Sequence, residues 1–272
     1  MDKAKVLVTG ASGFLGKEVI KLLEKQKIHY LAISKTKKKG FHKIDLTKKI
    51  NLDQDFEIVI HLAGLNYSND SKKYFEVNKL GTKNLLDFCS NKNVNRVIFA
   101  STCSVYGEKL RGLITEKTKG KNLSDYAKSK LMAENEIQKF SKKNKSKFVI
   151  LRFPILLGKK NSKNRFIALI TKYKENKNLD FDKDSKFMII DVKDAAKILV
   201  KSISSGDGLY NVVPYTPQIS QIIEVLNKIN LTKKLPTFKI KSKKKFLVSR
   251  KRMDKDLKIK YCKLEEIIKQ II

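Results

Sequence analysis

Apolar residues in the first half of the chain follow two alternating rhythms. Short apolar runs at residues 5–9, 30–33, 58–62, 97–101 and 148–153 have the length and β-branched content of buried strands. Between them the spacing becomes helical. Leu15, Val19, Leu22 and Leu23 form one stripe. Residues 71–90 carry Phe75, Leu80, Leu85, Leu86 and Phe88, and a stretch from Ser124 carries Ala127, Leu131, Ile137 and Phe140. Strands alternating with helices predict an α/β fold with a doubly wound parallel sheet. Right-handed crossovers then gather the strand C-terminal ends on one edge, where ligands bind.

The second half is less regular. Residues 158–187 are polar and weakly periodic, which predicts an insertion over the sheet edge, with Tyr173 at the surface. Residues 188–204 read as a strand feeding a helix, and 206–213 as a turn and strand. A lysine-rich tail from residue 233 ends in an amphipathic helix at 264–272. This predicts a dinucleotide-binding domain over 1–155 and a small substrate-binding lobe over 156–272, with 188–213 returning to the sheet.

Composition narrows the class. Of 272 residues, 41% are apolar, enough for a sizeable core. No apolar run reaches the roughly 18 residues of a membrane span, and the N-terminus enters a strand at once, without a leader's apolar region. Cys89, Cys103 and Cys262 are scattered, which suits a reducing cytoplasm. With only His29, His42 and His61 beside them, no zinc spacing arises and no metal is expected. The net charge is +33, yet 54 of the 60 basic residues are lysines spread over the whole chain. Bidentate readers of bases and phosphates favour arginine. The pattern therefore predicts a solvated lysine surface that attracts anions, with no nucleic-acid partner.

Residues 9–16 read Thr-Gly-Ala-Ser-Gly-Phe-Leu-Gly, between a strand and a helix. Gly10 permits a tight turn, Gly13 lets amides approach a pyrophosphate, and Gly16 lets helix and strand pack closely. The helix N-terminus offers free N–H groups to the anion. This is a Rossmann-type cofactor loop, with Ser12, Phe14 and Leu15 lining it.

The Gly-x-x-Gly-x-x-Gly spacing resembles the extended short-chain dehydrogenase/reductase superfamily, the NAD-dependent epimerases and dehydratases that modify nucleotide sugars. Asp45-Leu46 resembles its adenine-contacting pair, His61-Leu62-Ala63-Gly64 its His-Leu-Ala-Ala stretch, and Val77-Asn78 through Asn84 its Val-Asn-x-x-Gly-Thr-x-Asn helix. The resemblance implies that Leu62, Ala63, Gly64, Asn78 and Phe153 line the cofactor site. At the end of the second strand, Ser34-Lys35 stands where NAD enzymes place a carboxylate. A hydroxyl and a cation there predict NADP over NAD.

The resemblance also implies the chemistry. Tyr126 and Lys130 lie four apart, on one helix face. Tyr173 and Lys177 share that spacing, so position rather than spacing selects the first pair. A free tyrosine with a pKa near ~10 is only about 0.1% ionised at pH 7. A cation beside it typically lowers such a pKa by about 1–3 units, so Lys130, with an oxidised nicotinamide, is expected to activate Tyr126. Residues 101–107, Ser-Thr-Cys-Ser-Val-Tyr-Gly, resemble the family's Ser-Ser-x-x-Val-Tyr-Gly and place the third hydroxyl on Thr102. Cys103 and Ser104 stand where dehydratases carry Asp-Glu, which excludes dehydration. Residues 187–196 resemble the family's Phe-Ile-x-Val-x-Asp-Val-Ala segment through Asp194. Ser104, Arg165, Arg250 and Arg252 are candidate substrate contacts, the arginines as pyrophosphate clamps.

The expected function is an NAD(P)-dependent reductase of a nucleotide-activated 4-keto sugar, because a short lobe suits a single reduction. The alternatives are a nucleotide-sugar 4-epimerase with tightly held NAD, and a non-catalytic NADP-binding sensor or scaffold. A homodimer through the helices at 71–90 and from 124 is implied by the resemblance.

Overall fold

The computed structural model describes residues 6–159, 164–175, 177, 179–182, 185–229, 238–239 and 246–272. The first domain runs β1 (Val6–Thr9), α1 (Phe14–Lys25), β2 (Tyr30–Ser34), β3 (His42–Lys43), β4 (Ile58–His61), α2 (Ser71–Tyr74), α3 (Gly81–Cys89) and β5 (Arg96–Thr102). It continues through β6 (Gly112–Ile114), α4 (Asp125–Asn144), β7 (Lys147–Phe153) and β8 (Ile155–Leu157). Then come α5 (Arg165–Lys174), β9 (Leu179–Asp182), β10 (Ile189–Asp191), α6 (Val192–Lys201), β11 (Gly208–Asn211), α7 (Ile219–Lys228), β12 (Phe238–Lys239), β13 (Phe246–Val248), α8 (Lys251–Asp256) and α9 (Leu264–Ile271).

Strands β1 and β4 are buried at every position. A strand without a solvent face belongs mid-sheet with helices on both sides. The central sheet is parallel throughout, in the order β11-β7-β5-β4-β1-β2-β3. Pleating sorts its side chains. Val6, Val8, Ile60, Ile98 and Leu151 pack with α1 and α6 on one face. Leu7, Val59, Val97, Phe99 and Ile150 pack with α3 and α4 on the other. Strand β1 lies between β2 and β4, so the chain switches direction of winding there and opens a crevice at the strand ends. This is the Rossmann fold read from the sequence. Between α2 and α3, Phe75–Leu80 forms a π turn, which carries Asn78 into the interior.

The second half departs from expectation. Residues 158–187 are not merely an insertion: α5 lies within them and buries Phe166, Leu169, Ile170 and Tyr173. Tyr173, expected at the surface, is 2% exposed and donates to Asn227 Oδ1. The four buried residues follow helical spacing, and Asn164 caps the helix by accepting from the Phe166 and Ile167 amides. They join Ile219, Ile222, Leu226, Ile267 and Ile268 in a separate lobe core.

Elements cross the expected boundary at residue 155 in both directions. Strand β11 does return to the central sheet and α6 packs against α1, but β10 pairs with β8 instead. From the first domain, β6 reaches out to pair with β13. Its Ile114 joins Cys103, Val105, Tyr106 and Val248 in a small core between the two halves.

Candidate active site

The loop after β1 is built for close approach. Gly10 has φ +65°, and a Cβ there would lie 2.6 Å from the Ala63 amide nitrogen. A Cβ on Gly16 would lie 2.3 Å from the Gly10 carbonyl oxygen. No side chain caps α1, and its first turn contains no acid. Its N–H groups therefore face a cavity of about 510 Å³ lined by Gly10, Gly13, Phe14, Leu15, Gly16, Leu62, Gly64, Tyr126, Lys130 and Phe153. An open helix N-terminus at the mouth of a cleft fits a dinucleotide pyrophosphate.

Ser12, Ser34, Lys35, Asp45, Leu46, Ala63 and Asn78, also expected at the cofactor, lie outside this lining. At the end of β2, Ser34 Oγ lies 2.7 Å from Ser12 Oγ and 3.2 Å from Thr36 Oγ1. Lys35 is engaged by Asp45 at 3.0 Å, and this pairing with the turn amide of Thr47 keeps the Asp45 carboxyl below its usual range against the opposing effect of burial. Leu46 is buried, and its carbonyl accepts from Asn84. Asn78 clasps the loop after β4: it accepts from the Leu65 amide at 2.7 Å and donates to the Leu65 carbonyl and Ser129 Oγ. Asn78 thus shapes the cavity wall from behind.

His61 underlies the same edge. Thr82 gives its hydroxyl hydrogen to the Asn78 carbonyl, so it must accept from His61 Nε2–H at 2.8 Å. Nδ1 then accepts from Thr9, whose oxygen takes the Leu62 and Ala63 amides. Burial, with the nearby Lys130 charge, pushes the His61 pKa down to about 3. The ring is a neutral strut.

Ser124 caps α4 and aims its first turn at the cleft, accepting from the Ala127 amide. Tyr126 and Lys130 share the inner face of that helix. Lys130 is 6% exposed; its Nζ donates to the Ala100 carbonyl at 2.7 Å and lies 3.9 Å from the Phe99 ring centroid. Burial pushes its pKa down to about 7, with Glu134 acting against the shift. Burial raises the Tyr126 pKa, while a hydrogen bond with Thr102 acts in the opposite direction. The Lys130 ammonium is turned toward the Ala100 carbonyl. Thr102 also caps the short turn Cys103–Tyr106, accepting from the Ser104 amide and donating to Ser104 Oγ at 3.1 Å.

A second cavity of about 550 Å³ adjoins the first, and the two share Thr102, Phe153, Pro154 and Ile155. Ser104 and Arg165 line it as expected. The other two arginines do not. Arg250 donates to the Pro214 carbonyl, pairs with Asp254 at 2.9 Å and stacks on Tyr261. Arg252 donates to the Asp207 and Leu209 carbonyls and stacks on Tyr210, at the far end of β11. Backbone carbonyls and aromatic faces occupy the guanidinium forks that were expected to hold phosphate. Sequence reasoning missed Glu108, Ser124, Lys186, Phe187, Met188 and Phe246, which also line the second cavity. The 187–196 resemblance was a signal for Phe187 and Met188. Asp194 bridges instead, accepting from the Cys262 amide and Lys197.

Fold and site together define a Rossmann-type α/β protein whose glycine-loop cavity adjoins a second cavity. The chain belongs to the NAD dependent epimerase/dehydratase family, whose profile matches residues 6–212. A UDP-glucose 4-epimerase of Schizosaccharomyces pombe is 32% identical over 175 residues, 54% of this chain and 49% of that protein. A GDP-6-deoxy-D-talose 4-dehydrogenase of Aggregatibacter actinomycetemcomitans is 32% identical over 145 residues, 50% of this chain and 48% of that protein. The match spans about half the length of these curated relatives. A solved UDP-glucuronic acid 4-epimerase of Bacillus cereus, in complex with NAD, shares the fold with a TM-score of 0.83 at 24% identity, over 98% of this chain and 97% of that one. Among the described residues, no helix is long and apolar enough to cross a membrane and no cluster of metal-ligating side chains occurs.

Proposed function

We propose that the protein is a nucleotide-sugar 4-epimerase that holds NAD in the first cavity and the sugar in the second. The observation that carries this reading is the meeting of the two cavities at Thr102, beside Tyr126 and Lys130. The nicotinamide, when bound, supplies hydride exchange at the sugar carbon. Tyr126 takes the proton of the sugar hydroxyl and returns it to the keto oxygen, and Thr102 holds that oxygen in place. Lys130 supplies the cation that favours the phenolate. Arg165 and Lys186 face the phosphates of the substrate. The short-lobe argument for a reductase loses its force: the lobe has its own core and a cavity as large as the cofactor's, and 97% of a solved 4-epimerase chain overlays on this one.

A second reading, a 4-keto-sugar reductase preferring NADP, is favoured by the hydroxyl cluster of Ser12, Ser34 and Thr36 where a carboxylate would select NAD. Lys35 would have to leave Asp45 to reach a 2′-phosphate. One experiment separates the two readings. The protein is supplied with UDP-, TDP- and GDP-sugars and keto sugars, with NADH or NADPH monitored. Interconversion of C4 epimers without net cofactor turnover supports the epimerase; NADPH consumption by a keto sugar supports the reductase. Tyr126→Phe is expected to slow either reaction by roughly 10²-fold or more. No reaction, or no effect of that change, leaves the non-catalytic NADP-binding reading. In binding titrations, NAD at least as tight as NADP overturns the NADP preference. The homodimer is proposed on the outer faces of α2–α3 and α4, where Leu80 and Met132 stand exposed, and sedimentation at twice the chain mass checks it.

A further inference from the structure

Two neighbouring residues at the end of β5 engage successive turns of α4, and a third lies beside its start. The Ala100 carbonyl accepts from Lys130 Nζ, Ser101 Oγ donates to Glu134 Oε1 at 2.5 Å, and Thr102 acts on the Tyr126 phenol against the effect of burial. Tyr126, Lys130 and Glu134 are spaced by four and share one helix face. Glu134 is fully buried. Arg152, which lies beside Ser101 in the β5–β7 register, grips its carboxylate with Nε at 3.0 Å and Nη2 at 2.6 Å. The other end of that guanidinium donates to the Tyr106 hydroxyl at 2.8 Å and the Glu116 carbonyl at 3.2 Å, so the fork has no freedom to turn. Tyr106 in turn donates to Asn211, whose amide nitrogen donates to the Ser249 carbonyl beside β13.

We propose that Glu134 is a positioning residue for the proposed reaction: by latching α4 to the end of β5 through Ser101 and Arg152, it fixes the Lys130 ammonium and the Tyr126 phenol against Thr102. The proposal rests on the catalytic reading of Tyr126, Lys130 and Thr102. A surface ion pair would not serve this purpose, because its side chains wander. A buried bidentate pair with a third donor is locked in one geometry. The carboxylate also lies one helical turn from Lys130 and favours its charged form. His61 on β4 also feels the Lys130 charge and is held neutral, and Tyr126, one turn away on the same helix, lines the same cavity as Lys130. Glu134 is thus the carboxylate that offsets the burial of the lysine charge.

The test uses Glu134→Gln and Ser101→Ala in the full chain. In protein carrying ¹³C at the lysine ε-carbons, one resonance should titrate near neutral pH and vanish in Lys130→Met. Glu134→Gln is expected to lower that midpoint by about half a unit or more, since a carboxylate is lost and Arg152 is left uncompensated. In turnover, Glu134→Gln should reduce kcat by about tenfold or more with the nucleotide-sugar KM within about threefold, and Ser101→Ala should give a smaller loss of the same kind. A lysine midpoint and kcat both unchanged in Glu134→Gln overturn the proposal, as does a loss confined to KM. If Glu134→Gln does not fold, Ser101→Ala decides, and a wild-type kcat in that variant overturns it. If the unmodified protein turns over no nucleotide sugar, the functional reading fails, while the lysine titration still answers the question about Glu134.

Discussion

Lys130 carries a charge that the fold tolerates poorly. Its Nζ has one carbonyl and one aromatic face for company, and burial brings its pKa down to about 7. Unfolded, it titrates near ~10.4. Between those values the unfolded chain binds the extra proton, so stability rises with pH across that window; below pH 7 the folded protein carries the buried charge at full cost. Lys130→Met should therefore be more stable than the unmodified protein at pH 6, by about 1–3 kcal/mol, and the gap should shrink as pH rises toward 10. Thermal melting at several pH values checks this. A variant that melts lower at pH 6 would show that the Ala100 bond and the Phe99 contact outweigh desolvation. A lysine that destabilises its own fold is expected where selection favours chemistry over stability.

At the scale of elements, α5 connects packing to substrate binding. Its buried stripe of Phe166, Leu169, Ile170 and Tyr173 anchors the lobe, and Arg165 at its start lines the second cavity, the proposed sugar site. Phe166 is fully buried and meets Phe187 edge to face at 5.4 Å. Phe166→Ala should cost about 3–5 kcal/mol of lobe stability. Nucleotide-sugar binding is expected to weaken while NAD affinity stays unchanged, because the glycine loop belongs to a different core. Calorimetric titration of both ligands checks it, and parallel losses would mean that the two cores unfold as one. The same helix shows where sequence was legible and where it was not. Strands β1, β2, β4, β5 and β7 and helices α1, α3 and α4 were readable because their apolar runs are continuous or their stripes long. Helices α5 and α7 are only ten residues long, each bury four side chains and are flanked by lysine- and asparagine-rich sequence, so the helical period fades when it is read over a longer window. At the site, Gly10, Gly16, Tyr126 and Lys130 were legible because backbone sterics and helical spacing leave few substitutes. Arg250 and Arg252 were not, because a guanidinium satisfied by carbonyls and a tyrosine face reads the same in sequence as one awaiting phosphate.

For the whole molecule, the question is what a net charge of +33 does. Four of the six arginines are already engaged by groups of the fold itself. Arg96 and Arg152 are buried, Arg250 and Arg252 lie on tyrosine rings, and Arg165 lines the cleft. That leaves a lysine surface, which attracts anions over distance without reading their shape. A nucleotide sugar carries a pyrophosphate, so it should be drawn toward the cleft from far beyond contact range. The Debye length is about 8 Å at physiological salt and about 3 Å at 1 M. Raising salt from about 0.02 to 0.5 M should therefore lower kcat/KM by about tenfold or more, while kcat, set by groups sealed in the cleft, changes less than about twofold. A viscosity control separates slower encounter from slower chemistry. A kcat that falls in step with kcat/KM would place the salt effect on Lys130 and Glu134 themselves, and the lysine surface would then have no part in capturing substrate.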